Sequence, residues 1–434
     1  MVVLMLGVAA CTPVSQTANT VIPAKSPTGS SAPTATTVPP KVLNICIAEE
    51  PVSLYRYDGR NSTVKESVFA ALYDGPFEVD PTSGDYAVSI LETYPSLENG
   101  GVLLLSTAVQ AGDVVVDAYG NLTVFKKDLL VRPAGCSESA CAVTWEGSGE
   151  FSMDQMTAEF TFLPETKWSD GEALTAGDSV YSHQLAEGSG DPDQLWALER
   201  TAEYNAKGDR VVTWRGVPGF TASTVKAFFW MPMPAHLLAE LPADEVAGVE
   251  AAAHLPIGWG AYRITERETG EALHFEKNPN YFRGGEGLPA FDRLNYLIVP
   301  DREQALQMLQ AGECDLLDGS YGMESLDKAA LTELDQTAEL HIENWELVEQ
   351  LVFGISPASY DDGHSAWTED RTDFFGDLRT RQAVAACLDT PSLAEELLRA
   401  RLPDSVTLPV FLSEAAALDG NLALDEAGWV RSAE

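Results

Sequence analysis

Residues 167–182 read KWSDGEALTAGDSVYS, and the change of pattern within them is the clearest local signal in the chain. The first part, from Trp168 to Gly171, is typical of a tight turn, because an Asp-Gly pair readily supplies left-handed backbone geometry. The second part predicts the start of a helix, since Thr175 is a good N-cap and Asp178 follows it by three positions. We therefore expect a turn that leads directly into a helix.

Upstream of this turn, from about residue 77 to 168, the sequence predicts β-structure. Apolar runs such as VLLLSTAV, DVVVDAYGNLTVF and TAEFTFLPETKW are separated by Gly, Asp and Asn, which are typical turn residues. Before them, VLNICIA at 42–48 predicts a buried strand. Residues 68–73 predict an amphipathic helix that ends near Gly75-Pro76.

Downstream, a strand–helix–strand order predicts an α/β lobe. Apolar Ile298 and Val299 give way to Asp301, a good N-cap with Gln304 at the third helical position. Gly312 is suited to close this helix in a left-handed conformation. The short apolar run CDLLD that follows predicts a further strand.

Composition restricts the partners of the chain. Its 434 residues include 66 acidic and 27 basic side chains, for a formal charge of −39. Such a surface repels phosphate backbones and disfavours docking on anionic lipid through a basic patch. We therefore expect no nucleic-acid partner. The 45% of hydrophobic residues is enough for large cores, and a chain of this length normally forms two or more domains.

The N-terminus predicts export and a lipid anchor. Residues 1–10 are apolar or small, and Val8 to Cys11 resembles the lipobox of bacterial lipoproteins, in which the cysteine is acylated. Residues 12–40 are rich in Ser, Thr, Pro and Ala and are expected to form a solvated tether. The alternative is an ordinary N-terminal segment.

The five cysteines that follow Cys11 fall into two groups. Cys136 and Cys141 lie in a polar stretch with four residues between them, which favours a local disulfide in an oxidising compartment. A metal pair is the alternative, but no His or further Cys lies nearby to complete it. Cys46, Cys314 and Cys387 lie in apolar contexts and are expected to be buried as small hydrophobic residues.

An ordered series of segments resembles the extracellular solute-binding proteins of family 5, the dipeptide, oligopeptide and nickel-binding components of ABC importers. Each motif alone is weak, but their common order is hard to explain by chance. The segments are Leu43–Leu54, Lys167–Ser182, Met231–Leu237, Pro256–Ile264, Lys277–Tyr281, Ala311–Asp315, Asp377–Ala383 and Asp425–Trp429.

The resemblance implies an α/β, two-lobed clamshell of the periplasmic-binding-protein type (type II), with an extra β-rich subdomain in the first lobe. Family members continue beyond the segment at 425–429, so we expect the second lobe to be incomplete. The implied division is 1–11 signal-like segment, 12–40 tether, 41–76 and 187–318 lobe I, 77–186 inserted β-rich subdomain, and 319–434 partial lobe II.

The resemblance also implies a function without covalent chemistry. The protein would capture peptides or a related small solute outside the cytoplasm by hinge closure and deliver them to ABC permease subunits. A secreted hydrolase is one alternative, although the sequence lacks the Gly-x-Ser-x-Gly, His-Glu-x-x-His and Gly-x-x-x-x-Gly-Lys patterns. A sensing or adhesion lipoprotein on the same fold is another.

Candidate ligand contacts include four aromatic residues, Tyr55, Tyr73, Trp259 and Phe353, because stacking aromatic rings suit varied side chains. Packing in a core is the alternative for each of them. Ser356 follows Phe353 in a segment that resembles the strand facing the cleft, where the backbone of an extended peptide would pair.

Two arginines, Arg379 and Arg381, are candidates for a bidentate contact with a ligand carboxylate. The alternative is that they pair within their own lobe or cap a helix. No metal site and no cofactor is predicted, because the six histidines are scattered without paired spacing.

Overall fold

A computed structural model describes residues 39–79, 86–136, 141–189, 192–323, 326–336, 338 and 384. The strands are β1 (Val42–Ile47), β2 (Phe77–Val79), β3 (Tyr86–Val88), β4 (Val102–Val109), β5 (Val114–Val116), β6 (Leu122–Val124), β7 (Leu130–Val131), β8 (Val143–Thr144), β9 (Phe151–Thr161), β10 (Thr201–Lys207), β11 (Val211–Gly216), β12 (Tyr262–Glu268), β13 (Ala272–Lys277), β14 (Arg293–Ile298) and β15 (Leu316–Leu317). The helices are α1 (Thr63–Leu72), α2 (Ala176–Ser189), α3 (Pro192–Glu199), α4 (Ala235–Leu238), α5 (Ala243–Val246), α6 (Glu250–Ala253), α7 (Arg302–Ala311) and α8 (Lys328–Leu334).

The first sheet has five strands in the order β12-β13-β14-β1-β15. Strand β1 pairs in parallel with β14 and with β15, whereas β13 is antiparallel to both of its neighbours, β12 and β14. The N-terminal end of β1 is fixed by the preceding residue, Lys41, whose backbone N–H donates to the Asp292 carboxylate at 2.8 Å. The burial of Ile45, Cys46 and Ile47 agrees with the predicted buried strand.

Helix α7 begins and ends where its capping residues predict. The Asp301 carboxylate accepts a hydrogen bond of 2.8 Å from the Gln304 backbone N–H, and Gly312 closes the helix with a φ of 73°. These bonds pair backbone groups that the helix ends leave unsatisfied. The predicted strand–helix–strand order around α7 is confirmed.

The second sheet is antiparallel, with four strands in the order β10-β11-β9-β4. Three hairpins, β2-β3, β5-β6 and β7-β8, accompany it, so the predicted β-structure upstream of Trp168 is confirmed. The second sheet takes strands from both sides of residue 186. The division of the chain into lobes and an inserted subdomain stays a prediction, and most of 319–434 lies outside the described residues.

The main hydrophobic core contains residues of both sheets and of α1. Its fully buried aromatic side chains include Trp168, Trp214, Trp230 and Trp259. Two smaller clusters lie apart from it, one around Phe125 and Trp145 and one around β1 and α7. No helix in the described ranges is long and apolar enough to cross a membrane.

The predicted turn and helix at 168–178 are confirmed, and the Asp178 carboxylate connects them. It accepts hydrogen bonds from the Trp168 indole N–H at 3.4 Å and from the Thr175 backbone N–H at 2.8 Å. Its other oxygen accepts from the Ala235 backbone N–H at 3.0 Å, at the start of α4. Gly171 completes the turn with a φ of 101°.

The structure joins Cys136 and Cys141 in a disulfide, with an S–S distance of 2.05 Å and 5.8 Å between the Cα atoms. The expectation for Cys46 and Cys314 as free hydrophobic residues needs correction, because the structure joins them in a second disulfide. Both are buried as expected. They meet because Cys46 is in β1 and Cys314 lies just before β15, the adjacent strand. Cys387 lies outside the described residues.

Replacing Asp178 by Asn is expected to lower the free energy of unfolding by about 1–3 kcal/mol, because a neutral amide cannot accept all of the buried donors that the carboxylate pairs. Chemical denaturation of the wild type and variant measures the difference. Asp244→Asn, on an exposed residue of α5, is the matched control and should change it by less than about 0.5 kcal/mol. Equal effects at both positions would contradict the role of Asp178.

Candidate functional site

A cavity of about 430 Å³ lies at the C-terminal end of α1. It is open to solvent and brings together the last turn of α1, the segment that follows it and the chain around residue 229. Its lining residues are Arg56, Glu66, Phe69, Ala70, Tyr73, Asp74, Gly75, Pro76, Phe77, Lys226, Phe229 and Met231.

Aromatic rings form much of the cavity wall. The Arg56 guanidinium lies 4.3 Å from the centre of the Phe69 ring and 5.0 Å from that of Tyr73. Phe77 and Phe229, which also line the cavity, meet edge to face with 5.6 Å between their ring centres. Rings in these arrangements offer flat apolar surfaces at little cost in side-chain entropy. The wall therefore suits ligands with varied apolar groups.

The end of α1 is held by close backbone contact with the segment at 258–260. The Gly260 backbone N–H donates to the Leu72 carbonyl at 2.7 Å. A Cβ atom placed on Gly258 would lie 1.9 Å from the Leu72 carbonyl oxygen. Glycine is therefore required at 258, because any side chain would push this segment away from α1.

Hydrogen bonds to the backbone carbonyl and to the carboxylate of Asp74 fix the segment after α1. The Asp74 carbonyl accepts from the Trp259 indole N–H at 3.0 Å and from the Ser89 hydroxyl at 2.5 Å. The Asp74 carboxylate accepts from the Tyr281 hydroxyl. The peptide bond between Gly75 and Pro76 is cis. This wall of the cavity is thus positioned by groups that lie outside the cavity.

The cavity carries charged groups of both signs. Arg56 and Lys226 provide cations, and Glu66 and Asp74 provide carboxylates. In the described ranges, no group of three or more His, Cys, Asp and Glu side chains could hold a metal ion. The arrangement therefore suits a ligand that itself carries both charges.

A buried lysine supports the loop that carries Arg56. Lys65 of α1 donates from Nζ to the Tyr55 carbonyl and to the Asp58 carboxylate, each at 2.6 Å, and to the Arg60 carbonyl at 3.0 Å. Only 2% of its surface is exposed. Three bonds from one ammonium hold the loop at 55–60 against α1, which sets the position of Arg56.

Comparison with known proteins then identifies the family. Residues 141–428 match the family model for bacterial extracellular solute-binding proteins, family 5 (middle region). The chain belongs to this family. It is a family of binding proteins and not of enzymes, and its members act outside the cytoplasm. The predicted α/β, periplasmic-binding-protein-like fold class is confirmed with it.

The chain is similar to oligopeptide-binding protein AppA of Bacillus subtilis, with 26% identity over 283 residues, which is 61% of this chain and 47% of that protein. It spans about half the length, or less, of the curated relatives that it matches.

Solved structures of peptide complexes are also similar to the chain. The AppA complex with a nonapeptide, from Bacillus subtilis, has a TM-score of 0.47 and 17% identity, and covers 91% of this chain and 66% of that one. An oligopeptide-binding protein from Thermus thermophilus with a pentapeptide has a TM-score of 0.47 and 15% identity, and covers 90% and 64%.

The structure separates the aromatic residues that the sequence singles out. Tyr73 lines the cavity. Trp259 packs behind it, with 4.9 Å between the ring centres, and is fully buried. Tyr55 is also buried and does not line the cavity, although it lies one residue from Arg56. Trp259 therefore supports Tyr73 from behind, whereas Tyr55 contributes the carbonyl that accepts a hydrogen bond from Lys65.

Burial also sets the ionisation of the wall tyrosines. It raises the pKa of Tyr73 to about 12, and the neighbouring charge of Arg56 acts in the opposite direction. Burial likewise raises the pKa of Tyr55 to about 12, with a further increase from Tyr181 and Asp58. Both residues are therefore neutral near pH 7 and act as apolar surface or hydroxyl donors.

The remaining predicted site residues lie outside the described residues: Cys11, Phe353, Ser356, Arg379 and Arg381. Sequence reasoning missed other lining residues, namely Arg56, Phe69, Lys226, Phe229 and Met231. The one usable signal was Arg56 in the stretch LYRYD, where a cation stands between two aromatic residues.

Gly258→Ala is expected to lower the free energy of unfolding by about 3 kcal/mol, because the added methyl group overlaps the Leu72 carbonyl. Chemical denaturation measures the change. Gly285→Ala is the matched control, since a Cβ there meets nothing within 4 Å. A Gly258→Ala protein as stable as this control would show that the contact with α1 is not tight.

Proposed function

We propose that the chain is the solute-binding component of an ABC importer and that it captures peptides. Membership of family 5 is the observation that carries this proposal. A similar protein of Bacillus subtilis is named as an oligopeptide-binding protein. The cavity at the end of α1 is the part of the binding site that the described residues supply.

The chemistry of this cavity supports a peptide. A free peptide carries an ammonium and a carboxylate, and its side chains vary in size and polarity. The cavity offers Arg56 to an anion, and Glu66 and Asp74 to a cation. Its aromatic wall gives apolar contact without demanding one shape, as expected of a site that accepts many sequences.

Capture requires a second surface. A ligand shifts the protein towards a closed state only if it binds that state more tightly than the open one. We propose that residues 319–434 provide the opposing surface, with Phe353 and Ser356 along the ligand and Arg379 and Arg381 at its charged groups. A membrane permease would then recognise the closed form.

We propose that Cys11 carries a lipid anchor and that residues 12–40 tether the folded body to the membrane. The apolar run before Cys11 and the Ser/Thr/Pro-rich composition after it support this arrangement. Acyl chains contribute about 0.8 kcal/mol per buried methylene, so more than one chain is needed for firm attachment.

Peptide pools test the capture proposal. Purified protein should be stabilised against thermal unfolding by pools of di-, tri- or pentapeptides, by about 2.7 kcal/mol when the free ligand reaches a hundred times its Kd. Mixtures of the same free amino acids at equal mass are the control. Equal stabilisation by amino acids, or none by any pool, would contradict peptide capture.

Cys11→Ala is expected to move the protein from the membrane fraction to the soluble fraction of cells that express the full gene, because the acylated side chain is lost. Immunoblots of fractionated cells measure the distribution. Cys387→Ala is the matched control and should leave the protein in the membrane fraction. Membrane retention of the Cys11→Ala protein would refute acylation at that residue.

A further inference from the structure

Arg56 is a half-buried arginine of the cavity wall, and in the described part of the chain it has no ion-pair partner. This is unexpected in a protein with 66 acidic and 27 basic residues. Six other arginines of the described ranges are paired with carboxylates: Arg200, Arg210, Arg215, Arg263, Arg267 and Arg283. Arg60, Arg132 and Arg293 form no ion pair with a described carboxylate either, but Arg60 and Arg293 are exposed to water and Arg132 donates to the Gly219 carbonyl. Arg56 differs from them because it is half-buried in a cavity wall and has neither an ion pair nor a hydrogen-bond acceptor among the described residues.

The guanidinium is positioned by contacts that use none of its hydrogen-bonding capacity. It lies over the rings of Phe69 and Tyr73 at 4.3 and 5.0 Å from their centres, within the range of a favourable cation–π contact. Its side chain donates no hydrogen bond to any residue of the described ranges. Its five N–H donors therefore remain for a group that enters the cavity.

The two carboxylates that line the same cavity do not serve as its partner. Asp74 accepts from the Tyr281 hydroxyl on the other side of the wall. Glu66 also lines the cavity and is exposed to solvent, but it forms no ion pair with Arg56. Arg56 thus stays separate from the carboxylates of its own cavity.

We propose that Arg56 binds a carboxylate of the ligand in the cavity at the end of α1. The inference rests on the proposed function for its ligand class, a peptide, and it names the group by which that peptide is held. A carboxylate matches the planar fork of a guanidinium and accepts two parallel hydrogen bonds. Both the C-terminus of a peptide and an acidic side chain provide such a carboxylate.

Electrostatics supports the assignment. The net charge of −39 repels any anionic group that approaches, so a ligand carboxylate needs a local cation to be accepted. The charge of Arg56 acts on neighbouring tyrosines. Burial raises the pKa of Tyr73 and of Tyr57, and the positive charge of Arg56 acts in the opposite direction. A ligand carboxylate beside Arg56 would be stabilised by the same positive charge.

Four pools of randomised tripeptides and pentapeptides separate the two carboxylate sources. The first has free C-termini and no Asp or Glu; the second is its C-terminal amide. The third and fourth are amides that contain Glu or, in its place, Gln. Native mass spectrometry and thermal shift report binding. We expect the first pool to bind at least tenfold more tightly than the second if the C-terminus is held, and the third more tightly than the fourth if a side chain is held.

Three variants locate the effect. Arg56→Gln should weaken the preferred pool about tenfold to a hundredfold and remove its advantage over the neutral pool. Arg56→Lys keeps the charge and should restore part of that advantage. Arg60→Gln, an exposed arginine of the same loop, should change nothing. If Arg56 only supports the wall, Arg56→Gln would weaken charged and neutral pools alike, which overturns the inference.

Benzoate and benzamide distinguish failure of this inference from failure of peptide capture. They share a ring and differ in charge, so each tests the cavity without a peptide. Binding of benzoate but not benzamide, lost in Arg56→Gln, would support the carboxylate site even if no peptide pool binds. Peptide binding that ignores both the C-terminus and acidic side chains would overturn the site and leave peptide capture intact. Absence of all binding would overturn both.

Discussion

The Asp178 carboxylate is the constraint from which the position of the cavity follows. It accepts bonds from Trp168, Thr175 and Ala235, and so fixes the turn at 168–171, the start of α2 and the start of α4. The turn is bonded in its own right to the next element, since the Ser169 N–H donates to the Gly258 carbonyl at 2.8 Å. Gly258 then lies against the end of α1, where Tyr73 begins the cavity wall. Each step is a hydrogen bond or a packing contact, so a shift of one segment would displace the next.

The charged residues of the chain divide by their surroundings. Lys65 is almost fully buried, and its ammonium is satisfied by two carbonyls and a carboxylate. Such a group stabilises a loop, because removing the Asp58 carboxylate would leave a buried cation without its counter-charge. Arg56 lies in the same loop, but it is held only by aromatic rings. Lys65 and Arg56 are close in sequence but have different roles. The ammonium of Lys65 is fully hydrogen-bonded within the protein, whereas the N–H groups of Arg56 are available to a ligand.

Local features of this protein were predictable from sequence, and features that depend on distant packing were not. The caps of α7 at Asp301 and Gly312 involve neighbours within four residues, so their sequence context was sufficient. The Cys46–Cys314 disulfide depends on the adjacency of β1 and β15, which no local pattern encodes. Tyr73 and Trp259 looked equivalent as aromatic residues, and only their packing shows that one lines the cavity while the other lies behind it. The ordered series of motifs predicted the fold class and the family, but it did not predict which residues form the cavity wall.

The order of strands in the first sheet has a consequence for how the chain folds. Of the described strands, β1 is made first, yet its partners β14 and β15 begin about 250 and 270 residues later, in the registers Val42–Arg293 and Ile45–Leu316. Its backbone groups stay unpaired until nearly the whole described chain exists, and closing so long a loop is entropically slow. The second sheet, built from strands 102–216, faces no such delay. During synthesis, β1 is therefore the described strand that must be kept from pairing with a wrong strand for the longest time.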